Sequence, residues 1–335
     1  GTFTDVAVAA GVQNMHFAKS VAWGDVDGDR YPDLFVSNQN GPNRLYMNSR
    51  DGTFENVAAA AGVERPLASF PSWFWDYDND GALDLYVASY WPELAPTAAV
   101  YFGGAAKVEG ASLYRGDGRG RFRDVAPSLG IDLHSMPMAA NYGDLDGDGW
   151  LDFYLGTGYP GYDGLVPNKL FVNDRGQRFL DVTTAAGVGH LQKGHGIAFA
   201  DLDADGDVDL FAKLGGAFPG DAFRNAVFRN PGSGNRWIEI SLVGVRSNRF
   251  GVGAHLRFEV RQGDALRSIH RWMDTGASFG SNPLRLHVGL GRADALERLE
   301  VYWPTSDTTQ VFEDLPMDAA VVVTERQSDL RPGFR

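Results

Sequence analysis

Four Asp residues crowd into the nine positions of "DVDGDRYPD", as Asp25, Asp27, Asp29 and Asp33. The same D-x-D-x-D-x-x-x-D pattern returns three times. "DYDNDGALD" carries Asp76, Asp78, Asp80 and Asp84; "DLDGDGWLD" carries Asp144, Asp146, Asp148 and Asp152; "DLDADGDVD" carries Asp201, Asp203, Asp205 and Asp209. Carboxylates this close raise one another's pKa values and splay apart unless a cation sits among them. Oxygen-only donors select a hard divalent ion, and the chain has no Cys to favour zinc or copper. The ion expected is Ca²⁺, about four per chain. A solvated acidic turn is the bland alternative, and a phase kept four times argues against it.

An EF-hand would need a bidentate Glu at position 12 and a helix on each side. Position 12 is Val36, Val87, Leu155 and Ala212, inside "DLFVSN", "DLYVAS", "DFYLGT" and "DLFAKL". These short aromatic and β-branched runs, bounded by Gly, Asn and Pro, read as buried strands. The loops therefore join two strands, with the position-9 Asp supplying the last carboxylate as the second strand begins.

Around each loop a unit can be written out: a strand such as "SVAWGD", the loop, "DLFVSN", "NRLYMN", a Gly turn and "TFENVA". The closing phrase recurs as "GTFTDVAVAAGV" at 1–12, "GTFENVAAAAGV" at 52–63, "GRFRDVAPSLGI" at 120–131 and "QRFLDVTTAAGV" at 177–188. Four strands per unit, with loops spaced 51, 68 and 57 residues apart, is the signature of a β-propeller blade. An insertion at roughly 91–113 explains the long second spacing. Two positions before each first Asp stand Trp23, Phe74, Tyr142 and Phe199, expected as wedges packed between neighbouring blades. The chain starts inside a repeat, as a trimmed or mature product would.

Composition fits this organisation. The chain has 335 residues, 42 of them Gly, and 12% aromatics, which suits a strand-and-turn protein. A formal net charge of −13 argues against nucleic acid and anionic membranes as partners. The sixteen loop carboxylates account for most of it, and the eight positive charges of four Ca²⁺ would bring −13 to −5. No run of 18 apolar residues is present, so no membrane insertion is expected. Calcium loops of modest affinity fill readily at millimolar Ca²⁺ outside cells, so an extracytoplasmic or secreted location is expected, and a monomer.

The repeats resemble FG-GAP/VCBS propeller repeats, the integrin-type blades whose inter-strand loops carry calcium. The rest of the chain resembles the ASPIC/UnbV domain, through "NRWIEISLVGVRSNRFGVGAHLRFEV" from Asn235, "LHVGLG" at 286–291 and "LEVYWP" at 299–304. Together they imply the arrangement of the cartilage-acidic-protein-like family and its bacterial relatives, some of which are encoded with enediyne and other natural-product pathways. Residues 1–234 are then the propeller repeats and residues 235–335 the ASPIC/UnbV-like region. Within "RSNRF", Asn248 and Arg249 belong to the family signature and are expected to brace that region.

Strand counting extends the ring. Four repeats give sixteen strands, the N-terminal phrase one, and the region from Val252 about six. "NRWIEISLVG" stands where the fourth repeat needs its outer strand. The fold expected is all-β, a β-propeller of six or seven blades with Ca²⁺ loops in four of them. The C-terminal region is expected to continue the ring, and the N-terminal strand to complete a blade begun by the C-terminus.

No G-x-S-x-G, H-E-x-x-H, P-loop or dinucleotide fingerprint is present. Departures from the repeat phase are sharper guides. Six residues before the first Asp stand Lys19, Phe70, Met138 and His195; three before it, Ala22, Trp73, Asn141 and Ala198. Four after the position-9 Asp come Ser37, Ala88, Gly156 and Lys213, a Lys among small residues. Trp73, Trp75, Asn141, His195 and Lys213 form a candidate pocket at the end of an axial channel, against the plainer reading of blade-gap packing and a local ion pair. "RWMDTGASFGSNP" at 271–283, with Trp272, Asp274 and Phe279, is a loop expected over one mouth. Two functions follow. One is an extracytoplasmic recognition module for a small molecule, glycan or protein. The other is a cytoplasmic biosynthetic cyclase or lyase using His195 or Lys213 as acid or base.

Overall fold

The computed structural model describes every residue except 92, 106–107, 160, 162–163, 217–218, 221 and 334–335. The chain divides into two units, Gly1–Phe74 with Ala82–Pro137, and Trp75–Gly81 with Met138–Arg335. The sheets of the repeats are antiparallel, and their strands follow the chain order expected of blades.

In the first unit, β1 (Phe17–Gly24), β2 (Asp33–Gln39), β3 (Arg44–Asn48) and β4 (Phe54–Asn56) form one meander. A one-turn helix α1 (Ala58–Ala61) follows. A second meander comprises β5 (Ser69–Trp75), β6 (Asp84–Ser89), β7 (Ser112–Gly116) and β8 (Phe122–Asp124). Between β6 and β7 the expected insertion carries helix α2 (Leu94–Tyr101); its residues 92, 106 and 107 lie outside the described residues. After β8 comes α3 (Ala126–Leu129).

The second unit opens with a third meander, β9 (Pro137–Gly143), β10 (Asp152–Thr157), β11 (Lys169–Asn173) and β12 (Phe179–Asp181), followed by α4 (Thr183–Ala186). The fourth sheet has three strands, β13 (Gly194–Ala200), β14 (Asp209–Leu214) and β15 (Ala226–Phe228). Three of the four recurrent phrases are thus an outer strand and a helical turn closed by a left-handed Gly, at Gly62, Gly130 and Gly187. Position 12 of every loop lies in a strand, β2, β6, β10 or β14. That disposes of the EF-hand on geometry as well as on sequence.

The C-terminal strands are where expected, but they are wired differently from a blade. They are β16 (Arg236–Val243), β17 (His255–Gln262), β18 (Ala265–Trp272), β19 (Leu286–Gly291), β20 (Ala295–Trp303), β21 (Thr308–Leu315), β22 (Ala319–Thr324) and β23 (Arg331–Pro332). They form two sheets, ordered β19-β16-β22-β23 and β18-β17-β20-β21. Strand β16 runs parallel to β22, from Ile238 opposite Ala319 to Val243 opposite Thr324. Ile240 and Leu242 of one sheet share a core with Phe258, Leu299 and Val301 of the other, the packing of a sandwich. "NRWIEISLVG" therefore belongs to this sandwich and not to the fourth blade. Its alternating apolar residues are buried against β17 and β20, a pairing that local strand counting does not reveal.

The N-terminal phrase also differs from expectation. Residues 1–6 have no strand assignment; residues 7–11 turn, with Phe54 N donating to Ala10 O at 2.9 Å. It caps the outer edge of the first sheet instead of completing another.

The wedge aromatics pack as expected in three repeats. A Cβ on Gly24 would lie 2.9 Å from the Phe74 ring, and one on Gly143 would lie 3.1 Å from Phe199. Tyr142 meets Trp75 with ring centroids 5.6 Å apart. Each ring thus covers the residue just before the preceding repeat's first Asp. Trp23 is the exception, 55% exposed and turned toward Phe54 of its own sheet at 6.1 Å.

Loop conformation is repeated closely. Position 4 has positive φ in all four loops (Gly28 73°, Asn79 53°, Gly147 67°, Ala204 60°), as does position 6 (Arg30 80°, Gly81 85°, Gly149 92°, Gly206 97°). The first loop thus puts Arg30, and the fourth Ala204, in a geometry that costs a non-Gly residue roughly 1–2 kcal/mol. Arg30→Gly and Ala204→Gly are each expected to stabilise the protein by about 1 kcal/mol, part of the relief being offset by unfolded-chain entropy. Urea denaturation checks this, and a loss of stability in both variants would show that the strain is not there.

Candidate functional site

Each acidic loop leaves the first strand of a sheet and enters the second at position 9. The first Asp folds the loop back on itself. Asp29 N and Arg30 N donate to Asp25 Oδ1 and Oδ2, each at 2.9 Å. Asp80 N and Gly81 N do the same to Asp76 at 3.1 and 2.8 Å, and Asp205 N and Gly206 N to Asp201 at 3.2 and 2.9 Å. The position-9 Asp ties three segments together. Asp152 accepts from Leu145 N and Asn173 N, both at 2.9 Å. Asp33 accepts from Val26 N and Asn48 N, and Asp209 from Leu202 N and Asn230 N.

Those three Asn residues are a part of the site that spacing did not reveal. The amides of Asn48, Asn173 and Asn230 also donate to the position-8 carbonyls of Pro32, Leu151 and Val208. The signal is an Asn closing the third strand, blurred because hairpins of different length separate it from the loop.

Ligand oxygens of Asp25, Asp27 and Asp29 lie within 4.8 Å of one another, as do those of Asp144, Asp146 and Asp152, and of Asp201, Asp203 and Asp209. The second loop crosses the division between the two units, with Asp76, Asp78 and Asp80 on one side and Asp84 on the other. Burial drives the carboxyls upward. Asp33, Asp76 and Asp148 are each raised to about 7 and Asp144 to about 6, with neighbouring Asp charges adding to the shift.

The residues fit a hard cation. Asp144 is buried, and its Oδ1 has no hydrogen-bond partner while Oδ2 accepts from Gly149 N at 2.9 Å and Gly289 N at 3.0 Å. A buried carboxylate oxygen left bare beside two further carboxylates is where a metal ion removes both the repulsion and the unmet acceptor. These Asp clusters can bind a metal ion. The first and fourth loops already hold partial counter-charges: Arg50 Nε lies 2.6 Å from Asp29, and Arg229 lies 2.5 Å from Asp203 and 3.2 Å from Asp205.

Within the second unit the first Asp of three loops, Asp76, Asp144 and Asp201, reaches one cavity of about 80 Å³. Trp75, Tyr142, Phe199 and Trp272 supply aromatic wall, and Glu239, Arg285, His270, His287, Arg271 and Asp274 the polar groups. Arg285 pairs with Glu239 at 3.2 Å, and Tyr142 Oη donates to Asp274 at 2.6 Å. Burial lowers His270 and His287 to about 4, so both are neutral at ordinary pH. Arg271 is buried, donating to Asn79 Oδ1, His270 O and Gly149 O, while its Nε and His287 Nδ1 have no partner.

The five residues expected to make a pocket are not brought together by this cavity. Only Trp75 lines it, stacked on Phe179 at 5.8 Å. Trp73 is buried in the first unit with its ring 4.4 Å from Tyr86. Asn141 is fully buried, donating to Ile197 O at 3.0 Å and Asn282 Oδ1 at 2.8 Å while accepting from Ala277 N. His195 is half-buried on β13, and Lys213 is exposed on β14 opposite Gly196. The 271–283 segment, expected over one mouth of the channel, lies against two strands of the repeats. Ala140 N donates to Ser278 O and Ile197 N to Phe279 O, so it is hydrogen-bonded along β9 and β13. Asn248 braces its turn through paired bonds with Val252, and Arg249 O accepts from Gly244 N.

The brace and the ligands should separate by mutation. Asp209→Asn replaces an acceptor of a buried backbone N–H by a donor, so besides losing a metal ligand it is expected to cost about 1–3 kcal/mol in EDTA. Asp203→Asn is expected to change only the metal-dependent part of stability. Denaturation of both variants in Ca²⁺ and in EDTA distinguishes them; no loss from Asp209→Asn in EDTA would contradict its role as a brace.

Comparison with known proteins agrees with this geometry. The FG-GAP-like repeat description matches residues 25–87, 76–155 and 144–212, and the ASPIC and UnbV description matches residues 244–330. Cartilage acidic protein 1 of Homo sapiens is 28% identical over 319 residues, 90% of this chain and 43% of that protein. The Mus musculus protein gives 28% over 90% and 44%, and the Xenopus tropicalis protein 26% over 90% and 44%. The chain therefore spans less than half the length of these relatives. The crystal structure of AofleA from Arthrobotrys oligospora aligns at 10% identity and a TM-score of 0.33, covering 95% of this chain and 86% of its own. That superposition is too loose to carry an assignment, which rests on the loops, the sheet order and the sequence matches. The chain belongs to the FG-GAP-like repeat family, with an ASPIC and UnbV region following its repeats.

Proposed function

We propose that the protein is a calcium-stabilised recognition module of an extracytoplasmic compartment, which takes a compact, uncharged polyhydroxyl ligand in the cavity of its second unit. Support for calcium comes from the all-oxygen donor sets of loops that keep one conformation four times. Asp25, Asp27, Asp29 and Asp33 would hold one ion, and their equivalents in the other loops the rest. Structural ions of modest affinity suit the millimolar Ca²⁺ outside cells. Among the described residues no helix is long and apolar enough to cross a membrane.

The observation that carries the ligand class is the cavity's polar balance. Arg285 offsets Glu239, Tyr142 binds Asp274, and His270 and His287 are neutral. With the carboxylates of Asp76, Asp144 and Asp201 taken by the ions of their loops in this reading, what remains is one donor, Arg271 Nε, and one acceptor, His287 Nδ1, beside aromatic faces. A hydroxyl both donates and accepts, and a ring of C–H groups packs on Trp, so a sugar-like ligand satisfies what a charged one would not. His195 and Lys213, the residues a cyclase or lyase reading assigned as acid or base, do not line this cavity.

Calcium is expected to raise stability substantially. At a dissociation constant near 10 μM, ~1 mM Ca²⁺ contributes about 2.7 kcal/mol per site by mass action. The effect should depend on pH in a defined direction. Without metal, carboxyls raised to about 6 or 7 hold protons in the folded chain that the unfolded chain releases near pH 4. Metal-free stability therefore falls as pH rises through that window, and the calcium-induced gain in Tm grows. Thermal scans with EDTA and with Ca²⁺ across that range check it; an EDTA-insensitive Tm would contradict the calcium reading.

The cavity is tested by tryptophan fluorescence titration with a panel of monosaccharides and polyols. Trp272→Ala is expected to abolish binding while keeping the calcium-dependent Tm. Full binding by that variant would place the ligand elsewhere.

A further inference from the structure

The third loop differs from the first in being held from outside by the C-terminal sandwich, within the same unit. Gly289 N, on β19, donates to Asp144 Oδ2 at 3.0 Å, and Gly291 N donates to Gly147 O at 2.8 Å. From β18, Arg267 reaches Asp148 O at 2.8 Å and Arg271 reaches Gly149 O at 3.0 Å. Asn235, ahead of β16, reaches Asp146 O at 2.8 Å. The approach is so close that a Cβ on Gly289 would lie 2.3 Å from Gly147 C and 2.4 Å from Asp144 Oδ2.

Two consequences follow for Asp144. Its Oδ2 is saturated by two backbone N–H groups, with Arg271 Nη2 a further 3.7 Å away. Its Oδ1 is consequently fixed in place, buried and without a partner, facing a cluster completed by Asp146 and Asp152. Without a cation, the sandwich docks onto several carboxylates with one fully buried Arg to balance them, and buried charge left uncompensated is costly. With a cation, the same contacts orient a ready ligand set.

We propose that the divalent cation of the 144–152 loop is the lock that holds the C-terminal sandwich on the third repeat, with Arg271 and Gly289 as positioning residues for Asp144. Linkage makes this reciprocal: docking of the sandwich raises the metal affinity of this loop by the factor by which the metal tightens docking. The inference rests on the calcium reading of the loops and adds to it that one of the four sites is coupled to residues 235–335. The second loop also meets β18, its Asn79 Oδ1 accepting from His270 N and Arg271 Nη1, but the third carries the larger set of contacts and the bare Oδ1 of Asp144.

The test uses the whole chain, stripped of calcium and retitrated by calorimetry, with hydrogen exchange followed at residues 265–291. Calcium is expected to slow exchange of the Gly289 and Gly291 amides at least tenfold. Arg271→Gln, which also removes a bond to Asn79 Oδ1 of the second loop, should weaken one or two sites about tenfold and leave the first and fourth unchanged, and Arg271→Lys should restore part of that loss. Arg50→Ala, which touches only the first loop, should not alter exchange at 265–291. Calcium binding with no change in exchange at 286–291, or unaltered affinities in Arg271→Gln, would overturn the lock while leaving the calcium reading intact. If Arg271→Gln does not fold, the exchange arm on the unaltered chain still decides. No binding heat and no exchange difference anywhere would overturn both.

Discussion

Repulsion among carboxylates packed at the mouth of each inner strand is the constraint on which the molecule is organised. The position-9 Asp cannot move away, because it is the joint of its sheet, taking one N–H from the loop and one from the end of the third strand, as Asp152 does from Leu145 and Asn173. The first Asp cannot move either, since the loop's turn is wrapped around it. Two immovable carboxylates with others between them, partly out of water, require a compensating charge. A divalent ion meets that requirement with the oxygen donors present.

From that requirement the surrounding features follow. Positions 4 and 6 take left-handed conformations so that successive backbone N–H groups can turn inward, and the chain accepts Arg30 and Ala204 there despite the strain. Arg50 and Arg229 lie against the more exposed clusters, where solvent and an ion pair share the work. The buried third cluster has no surface to drain its charge, and it is the one enclosed by β18 and β19. The cavity forms where the ends of inner strands meet the sandwich, so its wall mixes the wedge aromatics with the first Asp of three loops.

Much of this was legible in the sequence because it is local. A spacing of nine residues marks the loop, the short aromatic and β-branched runs around it mark the repeat strands, and an aromatic at constant phase marks the packing between repeats. What escaped was non-local. The parallel pairing of β16 with β22 joins segments about eighty residues apart, and nothing in "NRWIEISLVG" distinguishes an outer blade strand from a sandwich strand. The cavity likewise draws Trp75, Tyr142 and Trp272 from distant segments, so phase-breaking residues such as Lys213 were a poor guide to it. Arg271 was invisible for a related reason: its importance lies in being buried under a loop more than a hundred residues upstream.

The central claim, that the repeats are organised around bound calcium, is tested most directly by anomalous scattering from a crystal grown in Ca²⁺. Four peaks are expected, each among the Asp side chains of one loop with oxygen ligands at about 2.3–2.6 Å. Loops that keep the same fold with no peak, their carboxylates protonated or paired with Arg alone, would contradict it.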